Sequence, residues 1–170
     1  MRDLQIRVET RDDWDEIAAV TRAAFGEDGE VRMIELIRAS DAFVPELSLI
    51  AVNDGAVVGH VLLSYVELSG RGRLLELGPL SVLPAWQRAG IGLVLAWDAI
   101  RRADELGEPL VLVLGHPSYY QRFGFRRASE LGIDAPHGIP DEAFMALPLE
   151  VYDPSIRGQV VFPPAYEAGD

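Results

Sequence analysis

The stretch "RLLELGPLSVLPAWQRAGIGLVLAWDAIRRADELGEPLVLVLGH", residues 73–116, constrains the fold more than any other part of the chain. It opens on a long apolar strand at 73–83, passes a glycine-containing loop into a helix that extends to about residue 106, and ends on the wholly apolar run at 110–116. The helix carries Ile91, Leu95, Ala99 and Leu106 on one face and closes at Gly107. Such a strand, loop, helix and buried strand are long enough to form a right-handed parallel crossover. Gly78-Pro79 interrupts the first strand, and because proline cannot donate to a ladder, a bulge or kink is expected there.

The elements around this unit are of mixed type. "LQIRV" at 4–8 alternates as a strand does. The next segment places Trp14, Ile17, Ala18, Thr21 and Phe25 at helical spacing, and the acidic break "GEDGE" at 26–30 leads into a second short helix containing Ile34 and Ile37. "LSLIAV" and "VVGHVLLSYVEL" read as antiparallel strands joined at Asp54-Gly55, where glycine tolerates positive φ. After residue 116, Pro117 and Ser118 start a short helix, strands are expected near 125–133 and 143–150, and 159–162 can add one more. The prediction is an α/β chain with a mixed sheet: a single domain over 1–150 and a C-terminal tail over 151–170 with room for one added strand.

Composition excludes several chemistries. The chain has no cysteine, which removes disulfide frameworks, thiolate zinc sites and cysteine nucleophiles. All 15 basic residues are arginine, so a P-loop lysine, a Schiff-base lysine and a pyridoxal-phosphate lysine are absent as well. His60 and His137 have no metal-like partners in the sequence, and no metal site is expected. A net charge of −12 argues against a phosphate-backbone binder, so nucleic acid is not an expected partner. The N-terminus is charged from residue 2 and no run of about 18 apolar residues occurs, so no signal or membrane span is read and a cytoplasmic location is expected.

The loop at 87–92, "QRAGIG", carries the chemistry. A helix N-terminus presents amides without intrahelical partners and about half a positive charge, so an anion gains both field and hydrogen bonds there. Gly90 and Gly92 let a phosphate approach the backbone and permit the dihedrals that turn successive amides inward, and Arg88 adds a mobile charge. A tight strand-to-helix connection with close packing at Gly92 explains the same glycines structurally. A dinucleotide fingerprint fails, because its third glycine would stand where Leu95 is and the loop follows about four strands rather than one.

"QRAGIG" resembles the Q/R-x-x-G-x-G/A loop of the GNAT superfamily of acetyl-CoA-dependent N-acetyltransferases. "PLSVLPAWQRAGIG", the helix and buried strand after it, and "YYQRFGF" follow that superfamily's core order over residues 4–150, and "GQVVFPPAYE" is similar to the tail of a YhbS-like bacterial branch. The resemblance implies a central, mostly antiparallel twisted sheet with helices on both faces and one parallel crossover around a cofactor cleft. It implies that Gln87, Arg88, Ala89, Gly90, Ile91 and Gly92 hold the pyrophosphate of acetyl-CoA, the co-substrate. Leu80, Ser81 and Val82 would pair through their backbone with the pantetheine arm, as an added strand does. An amide near Leu80 would stabilise the thioester oxyanion.

The same resemblance makes Tyr120, in Y-x-x-x-G-F with Gly124 and Phe125, the group that meets the departing thiolate. A phenol of pKa about 10 protonates a thiolate of conjugate pKa about 8.5 only uphill, so a hydrogen bond is as apt a description as full transfer. Aromatic packing is the structural alternative, and Tyr119 is the competing phenol and a further cofactor contact. Glu76, eleven residues before Gln87, matches the place of a glutamate base in histone-type members, acting through water; a solvated strand-edge acid is its alternative. His116 is a second base candidate, with helix capping or packing as its structural reading.

The function implied is transfer of an acetyl group to a primary amine of a small molecule or peptide by direct attack in a ternary complex. A non-catalytic acyl-CoA sensor or partner-binding module is the alternative, and a thioester hydrolase a third reading. The acceptor amine is left open, with the acidic lip at Glu27, Asp28 and Glu30 one place for its recognition, and a homodimer stands as an open expectation.

Overall fold

A computed structural model describes residues 3–169. The strands are β1 (Gln5–Val8), β2 (Phe43–Asn53), β3 (Ala56–Leu68), β4 (Arg73–Val82), β5 (Leu110–Leu114), β6 (Arg126–Arg127), β7 (Ile133–Asp134), β8 (Phe144–Pro148) and β9 (Gly158–Val161). The helices are α1 (Trp14–Phe25), α2 (Gly29–Arg38), α3 (Ile91–Glu105) and α4 (Pro117–Tyr120). The sheet runs β1-β2-β3-β4-β5-β8-β6, with β9 paired to β3 and β7. Parallel pairing is confined to β4 with β5 and the two-residue contact of β7 with β9. The sheet is mixed and mostly antiparallel, as the GNAT resemblance implies.

Helices cover both faces. On one, Ile91, Leu95, Ala99 and Ala103 of α3 pack against Leu49, Val61, Leu63, Leu75 and Leu77. On the other, Ile17 and Val20 of α1 meet Ile50 and Val57, and Ile34 and Ile37 of α2 meet Leu62. The alternation along β3 divides its side chains between these two cores. The β2–β3 turn is made by Asp54 and Gly55 at φ 50° and 78°, a pair of left-handed conformations that matches the twist of a two-residue hairpin.

Some expected positions differ. Trp14 and Phe25 are exposed, because α1 buries the stripe Ile17, Val20 and Thr21 instead; Trp14 lies under the guanidinium of Arg38 at 4.6 Å. Leu106 is also exposed, standing just past the end of α3. The strand expected near 125–133 is only β6 and β7, separated by a 3₁₀ turn over Ala128–Leu131.

The tail adds β9 to the end of β3, through Glu67 with Val161 and Leu68 with Val160. A 3₁₀ turn over Pro164–Gly169 then returns across α2. Contact there is tight: a Cβ on Gly29 would stand 2.7 Å from the Ala168 carbonyl oxygen.

Candidate active site

The site begins where β4 leaves β5. The two strands pair only through Leu75–Val111, Glu76–Leu112 and Leu77–Val113. Beyond Leu77, β4 keeps its partner β3 on one side, with Leu80 opposite Val61, Ser81 opposite His60 and Val82 opposite Gly59. Among the described residues no strand lies beside its other edge from Gly78 to Val82. That edge offers backbone donors and acceptors to an extended ligand.

The expected irregularity at Gly78-Pro79 is a bulge: Val61 faces Leu80 but Leu63 faces Leu77, so one residue of β3 spans two of β4. Gly78 has φ 146°, which favours glycine. The extra residue reverses the alternation. Leu80 and Val82 therefore pack toward α3 with Leu77, whereas Glu76 faces α2 and the tail.

At the end of β4 the chain turns through Pro84–Trp86, and the Gln87 side-chain amide donates to the Val82 carbonyl at 3.0 Å, pinning the start of the loop. Arg88 and Gly90 both adopt left-handed conformations, φ 63° and 87°. The first α3 hydrogen bond runs from the Val94 amide to Gly90 O at 3.1 Å, so the amides of Ile91, Gly92 and Leu93 have no intrahelical acceptor. Ile91 anchors the helix in the core while Arg88, Ala89 and Gly90 are exposed. Gly92 lies under Tyr119: a Cβ there would stand 3.2 Å from the Tyr119 hydroxyl and 3.7 Å from Val82 Cγ2.

The two phenols pack edge to face, with ring centroids 4.9 Å apart, but cover different glycines. Tyr119 covers Gly92 and receives the Arg122 guanidinium on its ring at 4.6 Å. Tyr120 turns the other way, over Gly115, where a Cβ would come within 2.5 Å of its ring. It packs edge-on to Phe125 at 5.7 Å and lines a cavity with Glu76 and Leu80. Burial, then the nearby Tyr119 and Glu76, raises its pKa, so this phenol holds its proton.

Glu76 is 4% exposed, and its carboxyl group sits against Gly78, 3.6 Å from where a Cβ would be. It is not a solvated edge acid. Burial pushes its pKa up to about 8, against the opposing effect of hydrogen bonds from the Tyr166 hydroxyl and the Leu114 amide. Tyr166 donates to Oε2 at 2.6 Å from 90 residues away. Nothing near Glu76 in the sequence signals this partner; an aromatic residue in the proline-rich tail was the only cue. His116 is exposed at the start of α4, makes no side-chain cap, and does not line the cavity.

A second buried polar group lies between β1, α2 and the sheet. Arg38 forks onto both oxygens of Glu9 at 3.0 and 3.2 Å, Ser48 donates to the same carboxylate, and His60 Nε2 lies 2.9 Å from Ser48 Oγ. Ser48 and His60 are fully buried, so the cluster ties α2 to β1–β3 rather than meeting a ligand. In the sequence the bonded pairs are 12 to 39 positions apart and His60 reads as solitary.

Residues 14–125 match the acetyltransferase (GNAT) family, and the chain belongs to that family of acyltransferases. It is 35% identical over 136 residues to the uncharacterized N-acetyltransferase YjhQ of Escherichia coli, covering 78% of this chain and 75% of that protein. The crystal structure of YhbS from E. coli in complex with CoA superposes with a TM-score of 0.89 at 27% identity, over 96% of this chain and 92% of that one. A GNAT acetyltransferase from Brucella melitensis in complex with acetyl-CoA is similar at a TM-score of 0.81 and 31% identity, over 98% and 99% of the two chains.

Proposed function

We propose that the chain transfers an acetyl group from acetyl-CoA to a primary amine by direct attack in a ternary complex, in the cytoplasm. The unpaired β4 edge from Gly78 to Val82, ending at the amide-rich loop, carries this reading. Pantetheine would run along Leu80, Ser81 and Val82, and the pyrophosphate would sit on the loop from Gln87 to Gly92, with Tyr119 closing over Gly92. The CoA and acetyl-CoA complexes of the similar structures support the choice of co-substrate.

An alkyl ammonium of pKa about 10 must lose a proton before it attacks, at a cost of about 4 kcal/mol at pH 7. Glu76, as carboxylate, takes that proton directly or through water and passes it to solvent. A cation entering the cavity favours its charged form, offsetting the burial that holds the pKa near 8. The free amine nitrogen then bonds to the thioester carbonyl carbon, the oxygen carries the developing charge toward an amide near Leu80, and the C–S bond breaks. The sulfur leaves as thiolate under the Tyr120 hydroxyl, and the second proton from nitrogen balances its conversion to thiol. Residues 151–169 belong to this working unit because they supply Tyr166 to Glu76.

The test is release of CoA thiol from acetyl-CoA with and without a panel of primary amines, with N-acetyl product read by mass spectrometry. Amine-dependent release with matching product is expected. Thiol release without any amine identifies a hydrolase, and binding of acetyl-CoA with no release for any amine identifies a sensor.

A further inference from the structure

The cavity that holds Glu76 has a volume of about 610 Å³, within the usual range for a small-molecule site. One wall is the tail, held by the Gly29–Ala168 contact, by stacking of Phe162 on Tyr166 at 4.6 Å, and by Phe144 behind Phe162 at 6.1 Å. Phe25 of α1 and Met33 of α2 add to the apolar lining beside it. These surfaces are apolar and suit an apolar body.

Carboxyl groups dominate the ionisable lining of the cavity. Glu30, Glu76 and Glu167 line the cavity together with the imidazole of His137, and among the described residues no arginine does. Among the described residues neither Glu30 nor Glu167 forms an ion pair, and Glu30 Oε2 is buried without a hydrogen-bond partner. A carboxylate with no cationic partner in the protein is left to attract one from a ligand. Glu30 belongs to the acidic lip noted in the sequence, whereas Glu27 and Asp28 do not reach this cavity; Asp28 is paired with Arg22 at 2.5 Å.

We propose that this cavity is the acceptor site for a small primary amine, cationic at neutral pH, carried on an apolar body and bearing no carboxylate of its own. The assignment rests on the acetyl-transfer reading of Glu76. Glu30 and Glu167 are its specificity residues: they draw in the ammonium and repel an acceptor that carries a carboxylate. Phe25, Met33 and Phe162 hold the body, so that the nitrogen is directed toward Glu76 and the bulge at Gly78.

Phenethylamine and phenylalanine differ by one carboxylate and serve as the probes. Each is titrated calorimetrically into the full chain saturated with CoA, and each is assayed for acetylation. Phenethylamine is expected to bind on the order of tenfold more tightly or better, and the double variant E30Q/E167Q to narrow that ratio without loss of CoA affinity. Equal or tighter binding of phenylalanine overturns the proposal, as does absence of phenethylamine binding, or tighter binding of a short peptide amine. Because binding is read without turnover, selective binding with no acetylation upholds the pocket and refutes the transfer reading instead.

Discussion

Glu76→Gln isolates the ionisation of the buried carboxyl group. In the folded protein Glu76 titrates near 8 rather than at its ordinary 4.5, so the native state holds a proton that the unfolded chain has released. Stability therefore falls as pH rises from about 4.5 through about 8, with the full penalty present above that. At about 1.4 kcal/mol per pH unit, the 1.5 units between pH 6.5 and 8 cost wild type about 2 kcal/mol that the neutral amide does not incur. Groups shared by both proteins cancel in the difference, including His60, whose buried ring is held below its usual pKa. Urea unfolding at pH 6.5, 7.5, 8 and 9 should show Glu76→Gln gaining about 2 kcal/mol on wild type across the series, or roughly 4–8 °C in Tm. Parallel stability curves for the two proteins over that range would refute the account of Glu76 as a carboxyl group kept neutral by burial.

Three further substitutions probe separate parts of the account. Tyr120→Phe should lower kcat by about ten- to a hundredfold while leaving acetyl-CoA affinity within about twofold, read by steady-state kinetics and calorimetry; unchanged kcat removes Tyr120 from the reaction. Tyr166→Phe deletes a donor to the charged form of Glu76, so the rising limb of the kcat/KM pH profile should move to higher pH, and an unmoved limb contradicts the coupling. Arg38→Met leaves the buried Glu9 without its cation and should cost about 3–5 kcal/mol in urea unfolding at pH 7. Burial alone would raise the Glu9 pKa, but bonds from His60, Ser48 and Arg38 bring it down to about 2. This cluster's stabilisation is thus present above pH 4.5 and lost as pH falls toward 2.

Local physics made much of this protein legible in its sequence. The hairpin at Asp54-Gly55, the interruption at Gly78-Pro79 and the start of α3 at Gly90 each follow from one or two residues whose backbone preferences leave few choices. Their consequences at longer range were harder to read. The bulge was expected, but that it places Glu76 and Leu80 on opposite faces depends on the register with β3. The motif in "YYQRFGF" singles out Tyr120, but that Tyr119 covers Gly92 while Tyr120 lies over Gly115 depends on contacts with other elements. The cavity wall around Glu76 is built by residues from 25 to 169, and no periodicity links Tyr166 to a strand 90 positions earlier. Amphipathic spacing also overstated burial at the helix ends, where Trp14, Phe25 and Leu106 have no facing strand.

The central claim, that acetyl-CoA lies along β4 with its pyrophosphate on the α3 N-terminus, is tested most directly by calorimetric titration of acetyl-CoA into wild type and Gly92→Glu. The introduced side chain would start 3.2 Å from the Tyr119 hydroxyl and bring a carboxylate to the amides meant for phosphate. Saturable one-to-one binding by wild type and no detectable binding by a Gly92→Glu protein of unchanged circular dichroism is the predicted result. Equal affinity of the two proteins for acetyl-CoA would contradict it.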